Sequence, residues 1–119
     1  MKKLEMYCIT NKVVNLLNET NYKIGWVGKE KPPSNYITCN TQDNIFFKEQ
    51  YYSELTFQYW YWKNMLDLDN SNWIGFCQKR RFWVKKNSNI EANSTLNFIN
   101  QHLSEPYPEW ESFDAIICK

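Results

Sequence analysis

The sequence predicts an α/β domain: a mostly parallel sheet with helices packed on its faces. Two observations carry this. Runs of strand formers alternate along the chain with segments of helical spacing, and such alternation implies parallel strands joined by right-handed crossovers. The run Phe113–Cys118 (FDAIIC) is mostly apolar on both of its faces, as a parallel strand buried from both sides should be.

The elements follow in order. Leu4–Thr10 (LEMYCIT) is short, apolar and rich in strand formers, which makes it a first strand. Val13–Leu17 predicts a short helix. Tyr22–Val27 (YKIGWV) is a second strand closed by Gly28, and Lys29–Asn35 is a loop carrying Pro32-Pro33. Tyr36–Cys39 reads as a short edge strand. Leu55, Tyr59, Trp62 and Leu66 recur at i, i+4, i+7 and i+11, one face of a helix from about Glu54 to Leu66 that is expected to turn inward. Ser53 is its expected N-cap, Glu54 suits the positive first turn, and a start one or two turns earlier stays open. Phe57 and Trp60 lie off that stripe, so the helix is apolar on most sides and is expected between other elements. Asp67–Asn72 is a polar connector. Trp73–Cys77 (WIGFC) is a third strand, expected near the middle of the sheet. Ser94 caps a predicted helix through Leu103, with Leu96, Ile99 and Leu103 on one face, and Pro106 and Pro108 end it. No helix follows FDAIIC to cover it, so the expectation is a domain incomplete at its C-terminus, or one whose sheet a partner chain or oligomer completes.

Bulk composition narrows the function classes. The 119 residues suffice for one domain. Aromatics make up 18%, more than so small an interior can hold, so some are expected in a groove or a subunit contact. Net charge is +1, from 14 basic and 13 acidic residues, which argues against a nucleic-acid binder using Lys79–Lys86 with Phe82 and Trp83. Cys8, Cys39, Cys77 and Cys118 form no C-x-x-C pair, and the expectation is reduced core thiols in a cytosolic protein. No run approaches the ~20 apolar residues of a membrane span. The N-terminal lysines precede no apolar stretch, so no signal peptide is expected.

Five stretches together resemble one family, the glycosyltransferase-like domain of bacterial capsular-polysaccharide and lipopolysaccharide biosynthesis proteins. They are Tyr7-Cys8-Ile9-Thr10-Asn11-Lys12, Asp43-Asn44-Ile45, and Glu54-Leu55-Thr56-Phe57-Gln58-Tyr59-Trp60-Tyr61-Trp62-Lys63-Asn64. Then come Gly75-Phe76-Cys77-Gln78-Lys79-Arg80-Arg81-Phe82-Trp83 and Phe113-Asp114-Ala115-Ile116. Order and spacing agree over essentially the whole chain, and the long third stretch is the most specific. Two positions depart: Asn11 and Gln78 stand where the family pattern has His, and Lys79 replaces a Tyr. Any proton or ligand work of those histidines is missing here. The family domain is about twice this long, so the resemblance covers an N-terminal half. It implies a partial GT-A-like (Rossmann-like) fold, a nucleotide-sugar donor, a glycan acceptor, and often a divalent metal, Mg or Mn, whose ligands this chain does not identify. It also implies a cytoplasmic protein, peripheral to the inner membrane.

Ligands of open parallel sheets bind beyond the carboxyl ends of the strands. Arg80 and Arg81 directly follow WIGFC, and guanidinium matches phosphate oxygens in bidentate geometry. One reading gives one or both of them the donor diphosphate; the other makes KRRFWVKK a solvated basic turn. Thr10, Asn11 and Lys12 follow the first strand and face the same edge, where a base or ribose fits, or they are ordinary loop. Asp67-Leu68-Asp69 matches the D-x-D metal pattern, yet it precedes a strand and is expected at the opposite edge. For Glu54, orienting a substrate stands against a helix-start charge, the simpler reading. Tyr59, Trp60 and Trp62 could stack on sugar, although aromatics at this spacing are more often core. Asn44 is expected to tie down the loop before the helix. Lys63, Asn64, Gln78 and Asp114 complete the supporting positions that the resemblance supplies. The lone His102, near a helix end, has no nucleophile pattern nearby.

Overall fold

The computed structural model describes residues 2–86 and 99–117. Four strands form one all-parallel sheet: β1 (Leu4–Thr10), β2 (Lys23–Trp26), β3 (Ile37–Thr38) and β4 (Trp73–Gln78). Their order across the sheet is β3-β2-β1-β4. The chain lays down three strands in one direction and then crosses β1 to place β4 on its other side. This is the α/β Rossmann-like arrangement, and the topological switch point falls between β1 and β4. The strand expected near the middle, β4, is therefore the outermost on its side among the described strands, and β1 and β2 are central.

Side chains alternate across the pleat, so β1 feeds two cores. Tyr7 and Ile9 pack with Val27, Cys39, Phe57, Trp60 and Tyr61 beneath a helix. Met6 and Cys8 pack on the other face with Leu17, Tyr22, Ile24, Trp26 and Tyr36. Among the described residues, that second face is covered by a 3-10 turn at Asn15–Glu19 and by irregular segments bearing Phe82 and Trp83. The helix expected at Val13–Leu17 is this single turn, shifted two residues onward. The Thr20 amide and hydroxyl close it, both donating to Leu17 O.

The long helix resolves into two pieces, α1 (Glu49–Tyr52) and α2 (Glu54–Asn64), separated by Ser53. Ser53 occupies the expected cap position but makes no side-chain cap bond, and its φ of 45° lies in the left-handed region. The expected inward stripe faces solvent: Leu55 is 53% exposed, Trp62 57% and Leu66 39%. The buried stripe is Phe57, Trp60 and Tyr61, at i, i+3 and i+4. Gly25 decides the choice. A Cβ there would come within 2.6 Å of the Phe57 ring, so β2 offers a recess that only this face of α2 fills.

The predicted final strand at Phe113–Cys118 does not form. Pro108–Ser112 is a 3-10 turn, Trp110 stacks edge-on against Trp73, and residues 113–117 continue as irregular chain. An apolar run of this length has no periodicity to separate strand from coil. Ser94 and Leu96 of the predicted third helix, and Cys118, lie outside the described residues, whereas residues 99–101 are helical and Leu103 is buried. Among the described residues no helix is long and apolar enough to cross a membrane.

Candidate functional site at the carboxyl edge

Three strand exits are tied together around the end of β1. The Val27 amide donates to Thr10 O at 3.0 Å, and the Lys79 amide donates to Ile9 O at 3.2 Å. Beyond β4 the chain turns at once. Arg81 N donates to Gln78 O at 3.0 Å and Gln78 N to Arg81 O at 3.3 Å, so Gln78–Arg81 is a closed four-residue turn. It presents Lys79 and Arg80 at its tip, beside Asn11 and Lys12.

Positive charge accumulates there without acidic partners. The described ion pairs are Lys2–Glu111, Lys23–Glu5 and Lys86–Glu109, and none involves Lys12, Lys79, Arg80 or Arg81. Desolvation first, then the neighbouring charges of Lys12 and Arg80, pull the Lys79 ammonium below its ordinary range. Its Nζ donates a short hydrogen bond to Asn11 Oδ1, which fixes the ammonium between the exits of β1 and β4. An ammonium crowded by two like charges is a position that an anion relieves.

The Thr10 side chain is used internally. Its hydroxyl donates to Lys12 O at 2.6 Å and accepts from Lys12 N at 3.1 Å, which shapes the loop that carries Asn11. A cavity of about 250 Å³ opens above these groups, lined by Thr10 and Asn11 at the exit of β1, Gln78, Lys79 and Arg80 at the exit of β4, and Glu49, Ser53 and Glu54 around the starts of α1 and α2. We call it the cation lobe. A second cavity of about 440 Å³ adjoins it and shares Glu54 and Gln78; Arg81 lines this one, with Gln58 and the rings of Phe76, Phe82 and Trp83.

The remaining expected residues lie elsewhere. Asn44 accepts from Phe46 N at 3.1 Å and donates to Gln42 O at 2.9 Å, and so shapes the loop ahead of α1. Asn64 ties that loop to the far end of α2, donating to Asp43 O at 2.7 Å. Trp62 is on the outer face with Lys63 Nζ 3.9 Å above its ring. Asp114 lines a different cavity with Leu4, Trp73 and Trp110. His102 Nδ1 lies 2.6 Å from Ile99 O, and its ring meets Tyr22 edge-on. Glu49, Gln58 and the Lys79 ammonium were not singled out from sequence. Lys79 sits in the basic run already noted, but its partner Asn11 is 68 positions away.

The residues do not fit a metal site. Among the described residues no group of three or more His, Cys, Asp or Glu side chains converges. Asp67-Leu68-Asp69 precedes β4 and closes on itself, Asp69 N donating to Asp67 Oδ1 at 2.9 Å. No step is therefore assigned to a metal.

Residues 5–113 match the family model described as Domain of unknown function (DUF4422). The chain belongs to this family. The DUF4422 match takes in the whole sheet apart from Leu4, all of α1 and α2, and every residue of both lobes. No curated protein and no solved structure matches the chain. What this DUF4422 member does thus rests on its own geometry.

Proposed function

We propose that this chain binds a nucleotide-sugar donor at its carboxyl edge and is a glycosyltransferase-like protein of surface polysaccharide synthesis, capsule or lipopolysaccharide, acting on a glycan acceptor in the cytoplasm. The observation that carries the reading is the cation cluster Lys12, Lys79 and Arg80, without acidic partners, at the topological switch point between β1 and β4. A diphosphate suits it on three counts. It is the anion that parallel sheets of this order take at that crevice. Guanidinium and ammonium together provide bidentate and point-charge donors. Transfer of a sugar forms a bond from an acceptor hydroxyl oxygen, which gives up its proton to solvent, to the anomeric carbon and breaks the bond from that carbon to the diphosphate oxygen, which leaves with the electron pair; fixed positive charge beside that oxygen lowers the barrier. The residue likeness in α2 and at Arg80-Arg81 supports the sugar side of the reading.

The test is calorimetric titration with a panel of UDP- and GDP-sugars. At least one is expected to bind, and Arg80→Ala is expected to weaken it about tenfold or more, since a charge-assisted hydrogen bond contributes roughly 1.5–3 kcal/mol and 1.4 kcal/mol is tenfold. An unchanged affinity in Arg80→Ala would refute the assignment.

A second reading is a binding module without turnover. Asn11 and Gln78 favour it, because neither amide can move a proton as a histidine can. Donor binding with no hydrolysis and no transfer to any acceptor would select it.

A further inference from the structure

Arg80 and Arg81 are neighbours in sequence but part company in space. The turn that closes Gln78 on Arg81 sends Arg80 into the cation lobe and Arg81 into the larger lobe beside it. We propose that the larger lobe binds the ring of a neutral saccharide, and that of the two arginines only Arg80 serves phosphate.

The chemistry of the lobe selects its occupant. Phe76, Phe82 and Trp83 bring aromatic carbon to one lobe, and the C–H face of a sugar ring stacks on such carbon. Glu54 and Gln58, one helical turn apart on α2, bring a carboxylate and an amide to the same space. Arg81 adds donors and Gln78 both kinds of group. Hydroxyl groups are donors and acceptors at once and satisfy this mixed set, and the three rings give a sugar's C–H face a surface that the cation lobe lacks. A volume of about 440 Å³ lies within the range of small-molecule sites. Glu54 and Gln78 form the shared wall, so a saccharide here would lie next to the diphosphate; that adjacency and the phosphate role of Arg80 rest on the nucleotide-sugar reading.

The test separates the two ligands. Neutral methyl glycosides and disaccharides are titrated against the whole chain by saturation-transfer NMR, and UDP by calorimetry, with the wild type, Arg80→Ala, Arg81→Ala and Gln58→Ala, each checked for an unchanged melting profile. At least one saccharide is expected to bind the wild type. Arg81→Ala and Gln58→Ala are expected to weaken it about fivefold, as loss of one or two hydrogen bonds does, while UDP affinity stays within about twofold. Arg80→Ala is expected to do the reverse. The proposal is overturned if no saccharide binds, if Arg81→Ala weakens UDP as much as Arg80→Ala does, or if uridine displaces the saccharide, which would make the lobe a nucleobase site. Saccharide binding that depends on Arg81, with no UDP binding to any form, would uphold the saccharide lobe and reject both the phosphate role of Arg80 and the nucleotide-sugar reading.

Discussion

At the scale of the residue, the charge at the carboxyl edge is held in place by neutral groups. Asn11 offers Lys79 an amide oxygen and Thr10 shapes the loop that presents it, so the ammonium is fixed while its charge stays uncompensated. This arrangement was half legible in the sequence. Arg80 could be placed because it comes soon after a strand, two residues past the end of β4. Lys79 could not be set apart from the rest of its basic run, because what distinguishes it is a contact with Asn11 that exists only once β1 and β4 are adjacent. Cys39 gives an independent check on the packing next to the site. Its thiol donates to Trp26 O at 3.3 Å. Burial, with a smaller contribution from the Glu49 charge, pushes it from 9.0 up to about 12. The folded state thus holds this proton more tightly than the unfolded chain does. The stabilisation is complete below about pH 9 and is lost as pH rises from 9 towards 12. Melting temperatures across pH 8 to 11 are expected to fall for the wild type and to fall less steeply for Cys39→Ala. Equal slopes would mean that the thiol is not shielded. Tyr22 and Tyr61, whose hydroxyls burial also pushes up, act in the same direction.

At the scale of the element, α2 shows how a correct helix can be given the wrong face. The spacing of Leu55, Tyr59, Trp62 and Leu66 is regular, but so is that of Phe57, Trp60 and Tyr61, and a helix apolar all round carries no moment to choose between them. The sheet chooses, through the recess at Gly25, and nothing in the helix's own sequence records that recess. Gly25→Ala is therefore expected to destabilise by roughly 1–3 kcal/mol through overpacking, and Phe57→Ala by roughly 3–5 kcal/mol through the cavity it leaves. Denaturant midpoints measure both, and a neutral Gly25→Ala would contradict the packing. The break between α1 and α2 is the other surprise. Ser53 takes a φ of 45° that a side chain disfavours, and its hydroxyl provides no cap in return. Ser53→Gly is expected to stabilise the fold by about 1 kcal/mol. Loss of stability there would show that the hydroxyl has work to do in the cation lobe, which Ser53 lines.

At the scale of the whole molecule, the sheet was legible and its closure was not. β1, β2 and β4 announced themselves as short runs of strand formers, and β3 as a short edge strand, because local residue preference and the final structure agree there. The order β3-β2-β1-β4 is a property of the assembled chain, yet it decides where the site lies, since it sets the exits of β1 and β4 side by side. FDAIIC misled because apolar content alone was read as a strand. In the fold the segment before it is turned by Pro108 and anchored by Trp110 on Trp73. The central claim is that the switch point between β1 and β4 receives a nucleoside diphosphate. An amide-resolved NMR titration with UDP tests it most directly. The account predicts that the largest shifts gather at Asn11, Lys12, Lys79 and Arg80, and that residues 67–72 at the opposite edge stay still. Shifts centred on residues 67–72, or none at millimolar UDP, would contradict it.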